Sequence, residues 1–153
     1  SDPRAQRDIA RRLEQTQVVE RPGASGQTTF SASGTYTPTY EGGTTPGVTT
    51  YTFQSGNWRR IGPVLFVTGQ VDWTAATGTG NATISLPFAA MGVNFSGSLW
   101  LNGVTFANSA PEMLITASST SFTMRSPLTN AAPTTVAVEA AGSVVFAATY
   151  FLA

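Results

Sequence analysis

The chain has 153 residues, of which 41% are hydrophobic and only 10% are charged, with no histidine, no cysteine and a formal net charge of zero. A single domain of this length can bury a sizeable core. The composition excludes disulfides, thiolate chemistry, Cys/His metal sites and histidine-based catalytic triads. Because every basic residue is an arginine and none forms a basic stripe in the body, we expect no nucleic-acid partner.

The surface is expected to be neutral and rich in hydroxyl groups, since Thr, Ser and Gly replace the charged residues that most soluble domains carry. Such a surface is typical of extracellular or virion β-proteins rather than of cytosolic enzymes. No apolar run approaches the roughly 20 residues of a membrane span, and no signal peptide is visible. We therefore expect no membrane insertion.

Residues 1–22 are predicted to form an N-terminal helical arm, because nine of the sixteen charged residues lie there. Asp2 suits the N-cap and Pro3 the first helical position. The apolar stripe is thin, so the helix needs a neighbour. A solvated arm, a stub of a three-stranded bundle and a docking peptide all remain open. The residues expected to make docking or oligomer contacts here are Ile9, Arg12 and Leu13.

A turn-rich linker is predicted at residues 23–27, followed by a β-sandwich domain over residues 28–153. Short runs of β-branched and aromatic residues alternate there with turn residues, which is the pattern of a sandwich or jelly roll. We predict an all-β, antiparallel, jelly-roll-like sandwich. Tight turns are predicted at Ser55-Gly56-Asn57 and at Asn102-Gly103. The predicted strands are 28–33, 36–40, 49–54, 58–61, 64–74, 81–86, 97–102, 104–107, 113–117, 121–125, 135–138 and 143–151.

The last predicted strand is apolar on both faces. Such a strand is either central in a sandwich or buried between subunits. The second interpretation predicts an obligate oligomer, with contacts from Val144, Phe146 and Tyr150.

One stretch of the chain resembles a known family. A glycine, an aromatic residue and an Arg-Ile-Gly run precede an alternating strand, a Gly-Thr-Gly turn and an Ile-Ser-Leu-Pro-Phe-Ala run. This order is similar to a β-domain common in structural proteins of tailed bacteriophages, such as tail-fibre, receptor-binding and head-spike proteins. The resemblance covers roughly residues 28–90, with Pro63 where the family often carries Asn. It implies a jelly-roll-like homotrimer on the exterior of a phage particle. The residues that carry it are Gly56, Trp58, Arg60, Ile61, Gly62, 64–74, 78–80 and 84–89.

No catalytic residues, metal site or cofactor are expected. The body offers only four carboxylates, at no spacing that suggests an acid–base pair, and no clustered oxygen ligands for calcium. Asp72 is expected to be solvent-exposed or paired with Arg59 or Arg60. The four carboxylates are Glu41, Asp72, Glu112 and Glu139.

Host-surface polysaccharide is a more plausible ligand, because sugars stack on exposed aromatic rings beside polar groups. Tyr36, Tyr40, Trp58 and Trp100 are the candidates. For Trp58 and Trp100 the sequence favours a place in the core or an interface over a sugar-binding site. Tyr40 is the least core-like of the four candidates. Loops 41–48, 77–81 and 107–111 would carry specificity.

Two hypotheses follow. In the first, the chain is a trimeric tail-fibre or receptor-binding protein, docked to other virion proteins through its arm, with aromatic-bearing loops at the far end. In the second, it is a head spike, a capsid-decoration protein or a tail-attachment protein without a receptor. A host-derived lectin-like module fits the composition but not the motif.

Overall fold

We describe a computed structural model of the chain, which covers residues 2–6 and 30–153. Residues 3–6 form a helical turn. The backbone N–H of Arg4 donates to Oδ1 of Asp2 (2.9 Å), and those of Ala5 and Gln6 donate to the Asp2 carbonyl (3.1 and 3.3 Å). The predicted N-cap is therefore confirmed. The rest of the predicted arm, with Ile9, Arg12 and Leu13, lies outside the described residues.

A second unit, Ser31–Ala153, holds all of the described strands. They form one antiparallel sheet in the order β1-β3-β4-β10-β6-β7-β8-β5-β2, with β9 paired to β8. The all-β, antiparallel prediction is confirmed. The strands are β1 (Ser31–Tyr36), β2 (Tyr40–Gly42), β3 (Thr49–Ile61), β4 (Val64–Ala76), β5 (Ala82–Ser85), β6 (Phe95–Asn102), β7 (Glu112–Ile115), β8 (Ser121–Leu128), β9 (Ala131–Thr135) and β10 (Gly142–Phe151).

The sheet curls around one core, so that β2, at one end of the strand order, faces β3 and β4, which lie near the other end. Tyr40 of β2 stacks on Trp73 of β4 with ring centroids 3.9 Å apart. The backbone N–H of Tyr40 also donates to the hydroxyl of Tyr51 in β3 (2.7 Å). Strand β4 alternates as predicted: Leu65 and Val67 face the core, while Phe66 between them faces outward.

Strand β10 occupies the centre of the sheet, with β4 on one side and β6 on the other. Val144, Phe146 and Tyr150, the predicted oligomer contacts, are at most 2% exposed and belong to the chain's own core. These three side chains are therefore core residues rather than subunit contacts. The sequence could not distinguish the two faces of this strand, because both are apolar. Val145 and Phe151 lie on the opposite face and are exposed.

Both predicted tight turns are wrong. Strand β3 runs without interruption through Gly56, which pairs with Gly69 of β4. Strand β6 ends at Asn102 and pairs with β10 and β7, so no strand folds back after Gly103. The tight hairpin lies instead at Gly62-Pro63, where Ile61 pairs with Val64. Gly62 has a φ of +57°, as the first loop position of a type II′ turn requires.

Four glycines make room for aromatic rings on the neighbouring strand. A Cβ on Gly69 would lie 2.3 Å from Cζ of Phe146, the residue directly opposite on β10. The ring thus occupies the volume that a side chain at position 69 would need. Because the opposing residue has no side chain, a large ring can lie over the neighbouring strand where the sheet is curled. The four opposed pairs are Gly34 with Trp58, Gly56 with Tyr36, Gly69 with Phe146 and Gly142 with Trp73.

The two ends of the β-unit differ in chemistry. One end, here called the hairpin end, gathers the Gly62-Pro63 turn, the connection 86–94 and residues 152–153. The backbone N–H of Met91 donates to the Phe151 carbonyl (2.7 Å), and that of Leu152 donates to the Pro63 carbonyl (2.9 Å). The other end, the threonine-loop end, carries loops 43–48 and 77–81, joined by backbone hydrogen bonds between Thr45 and Thr79.

Candidate functional site: a groove on the outer sheet face

A groove of about 490 Å³ crosses the outer face of β3, β4, β10 and β6. Strand register fixes what lies in it, because cross-strand partners on a sheet share a row. One row reads Ser55, Gln70, Val145, Trp100, and the next reads Asn57, Thr68, Ala147, Ser98. The volume lies within the roughly 300–1,000 Å³ of ordinary ligand sites. We call this feature the outer groove.

Two exposed aromatic side chains flank the outer groove. Phe53 on β3 is 48% exposed and Trp100 on β6 is 58% exposed. They stand on strands three spacings apart and are offset by two residues along the strands, which places their backbones about 16 Å apart. Each ring thus has an open face beside the outer groove, and such a face can stack on a ligand.

The lining of the outer groove is mostly apolar, with uncharged polar side chains among the apolar ones. Within the described part of the chain, no hydrogen bond joins the side chains of Asn57, Thr68 or Ser98 to another residue, so their groups are free for a ligand. Of the residues that line the outer groove, none is charged: Phe53, Ser55, Asn57, Thr68, Gly69, Gln70, Ser98, Leu99, Trp100, Val145, Phe146 and Ala147.

Gln70 in this lining is held in place. Its Nε2 donates to both carboxylate oxygens of Asp72 (3.1 and 3.0 Å), and the hydroxyl of Ser143 donates to the same carboxylate. The hydrogen-bond partners of Asp72 are thus Gln70 and Ser143. The sequence had suggested solvent exposure or a pair with Arg59 or Arg60. Because the amide NH₂ of Gln70 is engaged, its carbonyl oxygen is left to accept from a ligand.

A second depression continues the outer groove towards the hairpin end. It has a volume of about 430 Å³ and shares Thr68, Ser98 and Ala147 with the first. Phe66 and Thr149 line its far side. The combined surface is a trough that runs along the strands, so an elongated ligand fits it better than a compact one.

Of the four aromatic residues predicted to bind glycans, only Trp100 lies at an open surface. Tyr40 is fully buried against Trp73, so its interpretation as a loop residue is wrong. Trp58 is half-buried and meets the edge of Phe88, with ring centroids 4.9 Å apart. Tyr36 is half-buried and its hydroxyl donates to the Ser85 carbonyl (3.3 Å).

Phe53 was missed by the sequence analysis for a physical reason. Regular alternation would place Tyr51 and Phe53 on one face of the strand. The structure has register shifts on either side of Tyr51, where Tyr51 pairs with Trp73 and Phe53 pairs with Asp72. This bulge leaves Tyr51 packed against the core and Phe53 outside. The sequence around Tyr51 has no glycine or proline to indicate the bulge.

The core tyrosines have perturbed acidity. Burial raises the pKa of Tyr40 and that of Tyr150 to about 12, against partly opposing backbone hydrogen bonds. Burial also raises the pKa of Tyr36, further than for the other two. Since the charged phenolate is the disfavoured form, these groups act as packing and hydrogen-bonding groups, not as acids or bases near neutral pH.

The loops predicted to carry specificity gather few aromatic rings. Loops 41–48 and 77–81 meet at the threonine-loop end, and Phe106, just before loop 107–111, is 40% exposed. Among residues 2–6 and 30–153, no group of three acidic, histidine or cysteine side chains is placed to hold a metal ion. In the same residues we find no helix with the length and apolarity to cross a membrane.

Comparison with known protein families found no matching family model, and a search of curated proteins found no match.

Proposed function

We propose that this chain is a non-enzymatic structural protein of a tailed-bacteriophage particle, displayed on the exterior as a homotrimer and docked to other virion proteins through its N-terminal arm. The resemblance of the Trp58-to-Phe88 region supports the virion assignment. The curled sheet, in which Tyr40 stacks on Trp73, supports a jelly-roll-like sandwich. The low charge of the body, seven charged residues after position 22, suits a protein that associates with copies of itself.

The observation that carries the proposal is an exposed apolar patch at the hairpin end. Each member is at least 41% exposed, which is uncommon for large apolar side chains gathered in one place. Backbone hydrogen bonds tie its parts together, as between Met91 and Phe151. The patch comprises Ile61 (42%), Phe66 (44%), Phe88 (41%), Met91 (41%), Val93 (48%) and Phe151 (43%). A surface of this kind marks an interface.

A second copy of the chain is the partner that fits the apolar patch best. The patch contains no carboxylate, and Arg59, which pairs with Phe66, is the charged side chain exposed beside it. The patch therefore offers few charged groups by which a different protein could recognise it. Identical apolar surfaces cover one another readily under closed rotational symmetry. In this proposal Met91, Val93 and Phe151 make the subunit contacts. The sequence analysis had assigned them to Val144, Phe146 and Tyr150.

The trimer is testable by light scattering coupled to size-exclusion chromatography. We expect a mass of three times 16.0 kDa for the unmodified chain. The double variant Met91→Ser, Phe151→Ser should dissociate to monomers with an unchanged far-UV circular dichroism spectrum, because it removes apolar contact area and leaves the core intact. Val48→Ser, at a side chain that is 73% exposed in the loop 43–48, is the matched control and should remain trimeric. A monomeric unmodified chain would contradict the proposal.

A head spike, decoration protein or tail-attachment protein without a receptor is the second candidate. The threonine-loop end favours it, because a receptor-binding tip was expected to carry aromatic loops and this end exposes Val48 and Phe106 as its large apolar side chains. Immunogold electron microscopy of particles distinguishes the two by head or tail labelling. Deletion of residues 1–22 should abolish incorporation into particles under either candidate. Incorporation of the truncated chain would remove the docking role of the arm.

A further inference from the structure

We propose that the outer groove binds a neutral oligosaccharide, with Phe53 and Trp100 as stacking platforms. The inference rests on the proposed function only for the source of the ligand, a glycan of the host surface. The site itself is argued from the geometry of β3, β4, β10 and β6. It differs from the predicted glycan site, in which Trp100 stood with Tyr36, Tyr40 and Trp58.

The aromatic rings supply the apolar part of recognition. A pyranose ring presents a face of C–H groups that stacks on an aromatic ring, and Trp offers the largest such surface. Trp100 and Phe53 are both about half exposed, so each has a face available. Their separation of about 16 Å is longer than one sugar ring, which selects an oligosaccharide that reaches from one platform to the other.

The lining supplies the polar part. Asn57, Thr68 and Ser98 line the outer groove one row beyond Trp100, and within the described residues their side chains have no hydrogen-bond partner. Gln70 adds a carbonyl oxygen, since its NH₂ group is held by Asp72. Sugar hydroxyls both donate and accept, as these groups do. The lining therefore offers hydrogen-bond donors and acceptors that can pair with the hydroxyl groups of a sugar.

The absence of charge on the lining selects neutral sugars over acidic ones. No arginine lines the outer groove, so a uronate or sialic acid carboxylate would find no cation there. The carboxylate of Asp72 lies next to Gln70 and would repel such a group at close range. A neutral hexose or N-acetylhexosamine chain meets neither obstacle.

The polar groups of the lining argue against a wholly apolar protein segment as the occupant. Covering Asn57, Thr68 and Ser98 with apolar surface would bury donors and acceptors without partners, which is costly for each group. The trough and the apolar patch meet at Phe66. Variants at Trp100 and Phe53 lie outside the apolar patch, so the two surfaces can be tested separately.

The test uses the full chain and an immobilised array of neutral oligosaccharides built from glucose, galactose, mannose and N-acetylglucosamine, with sialylated and uronate-containing oligosaccharides on the same array. Binding is then quantified by isothermal titration with the best neutral ligand. Trp100→Ala and Phe53→Ala should each weaken binding about tenfold or more, and Trp100→Phe should restore part of the loss. Phe106→Ala, an exposed aromatic outside the outer groove, should stay within about twofold of the unmodified chain.

Light scattering on the same variants separates this inference from the trimer. We expect Trp100→Ala and Phe53→Ala to keep the oligomeric mass of the unmodified chain. Loss of the trimer in Trp100→Ala would show that the outer groove is a subunit contact and would overturn the inference. So would binding to acidic oligosaccharides alone, equal binding by Trp100→Ala and the unmodified chain, or no binding to any neutral member of the array. None of the last three results bears on the apolar patch.

Discussion

Replacement of Phe146 by alanine is expected to lower the free energy of unfolding by about 4 kcal/mol, the cost of removing a buried aromatic ring and leaving a cavity. Phe146 is 2% exposed, lies on the central strand β10 and meets Phe122 with ring centroids 5.0 Å apart. Its ring also covers Gly69 on β4. Few side chains in the β-unit connect so many strands, so the loss is large.

The Gly69→Ala variant tests the same contact from the other side. Its methyl group would lie 2.3 Å from the ring of Phe146, and in a packed core such overpacking costs about 1–3 kcal/mol. The double variant should be less destabilised than the sum of the two single variants, because removal of the ring makes room for the methyl group. Urea denaturation at one fixed protein concentration measures all three, since oligomers gain stability with concentration.

Val145→Ala is the matched control for this pair. Val145 is the neighbouring residue on β10, faces outward and is 37% exposed, so its truncation should cost under about 1 kcal/mol. Strict additivity of Gly69→Ala and Phe146→Ala would contradict the proposed filling of the glycine position by the ring.

Alkaline pH is expected to unfold the β-unit between about pH 10 and pH 12. Burial raises the pKa of Tyr40 and of Tyr150 to about 12, whereas an unfolded tyrosine ionises near pH 10. The neutral phenol therefore stabilises the fold fully below pH 10, and this contribution is lost as the pH rises through the folded-state pKa. Each of these two groups accounts for about 2–3 kcal/mol by linkage.

Between about pH 6 and pH 9 the stability should change little. The chain has no histidine and no cysteine, and its basic residues are all arginine, so no side chain with an ordinary pKa titrates in that window. Thermal unfolding followed by circular dichroism from pH 5 to pH 12, with tyrosinate absorbance as the second signal, measures both regions.

The Tyr36→Phe variant sharpens this test. It removes one buried phenol and one long hydrogen bond of 3.3 Å, so the alkaline loss of stability should become smaller while the stability at pH 7 changes little. Full alkaline unfolding below pH 10, or a stability that stays constant up to pH 12, would show that these phenols are not buried as described.

The sequence predicts the fold best where one face of a strand is buried and the other is not. The alternation of Leu65 and Val67 with Phe66 is such a case, and β4 lies where its pattern indicates. The pattern fails at Gly56, which looks like a turn residue but lies mid-strand. What decides its role is Tyr36, twenty positions earlier in the chain, whose ring covers it. A local pattern cannot contain that information.

The candidate site was predictable in part for related reasons. Trp100 was among the candidates as an aromatic residue, although the sequence favoured the core or an interface for it. Tyr40 was misjudged because its glycine neighbours indicate a loop, whereas its stacking partner Trp73 comes from a strand far along the chain. Phe53 depends on a bulge that depends in turn on pairing with β4. The outer face of β10 could not be chosen over the inner one, because the residues of both are apolar.

The central position of β10 has a consequence for how the chain reaches its fold. Strands β4 and β6 are joined through β10, which pairs with residues as far back as Val64. Until residues 142–151 have left the ribosome, both strands present unpaired edges, and their apolar rows stay open to other nascent chains. Sheet closure is therefore a long-range step that waits for β10 and favours slow folding. Phe151 ends this strand and belongs to the apolar patch, so under the proposed self-association the patch is complete only once the sheet has closed.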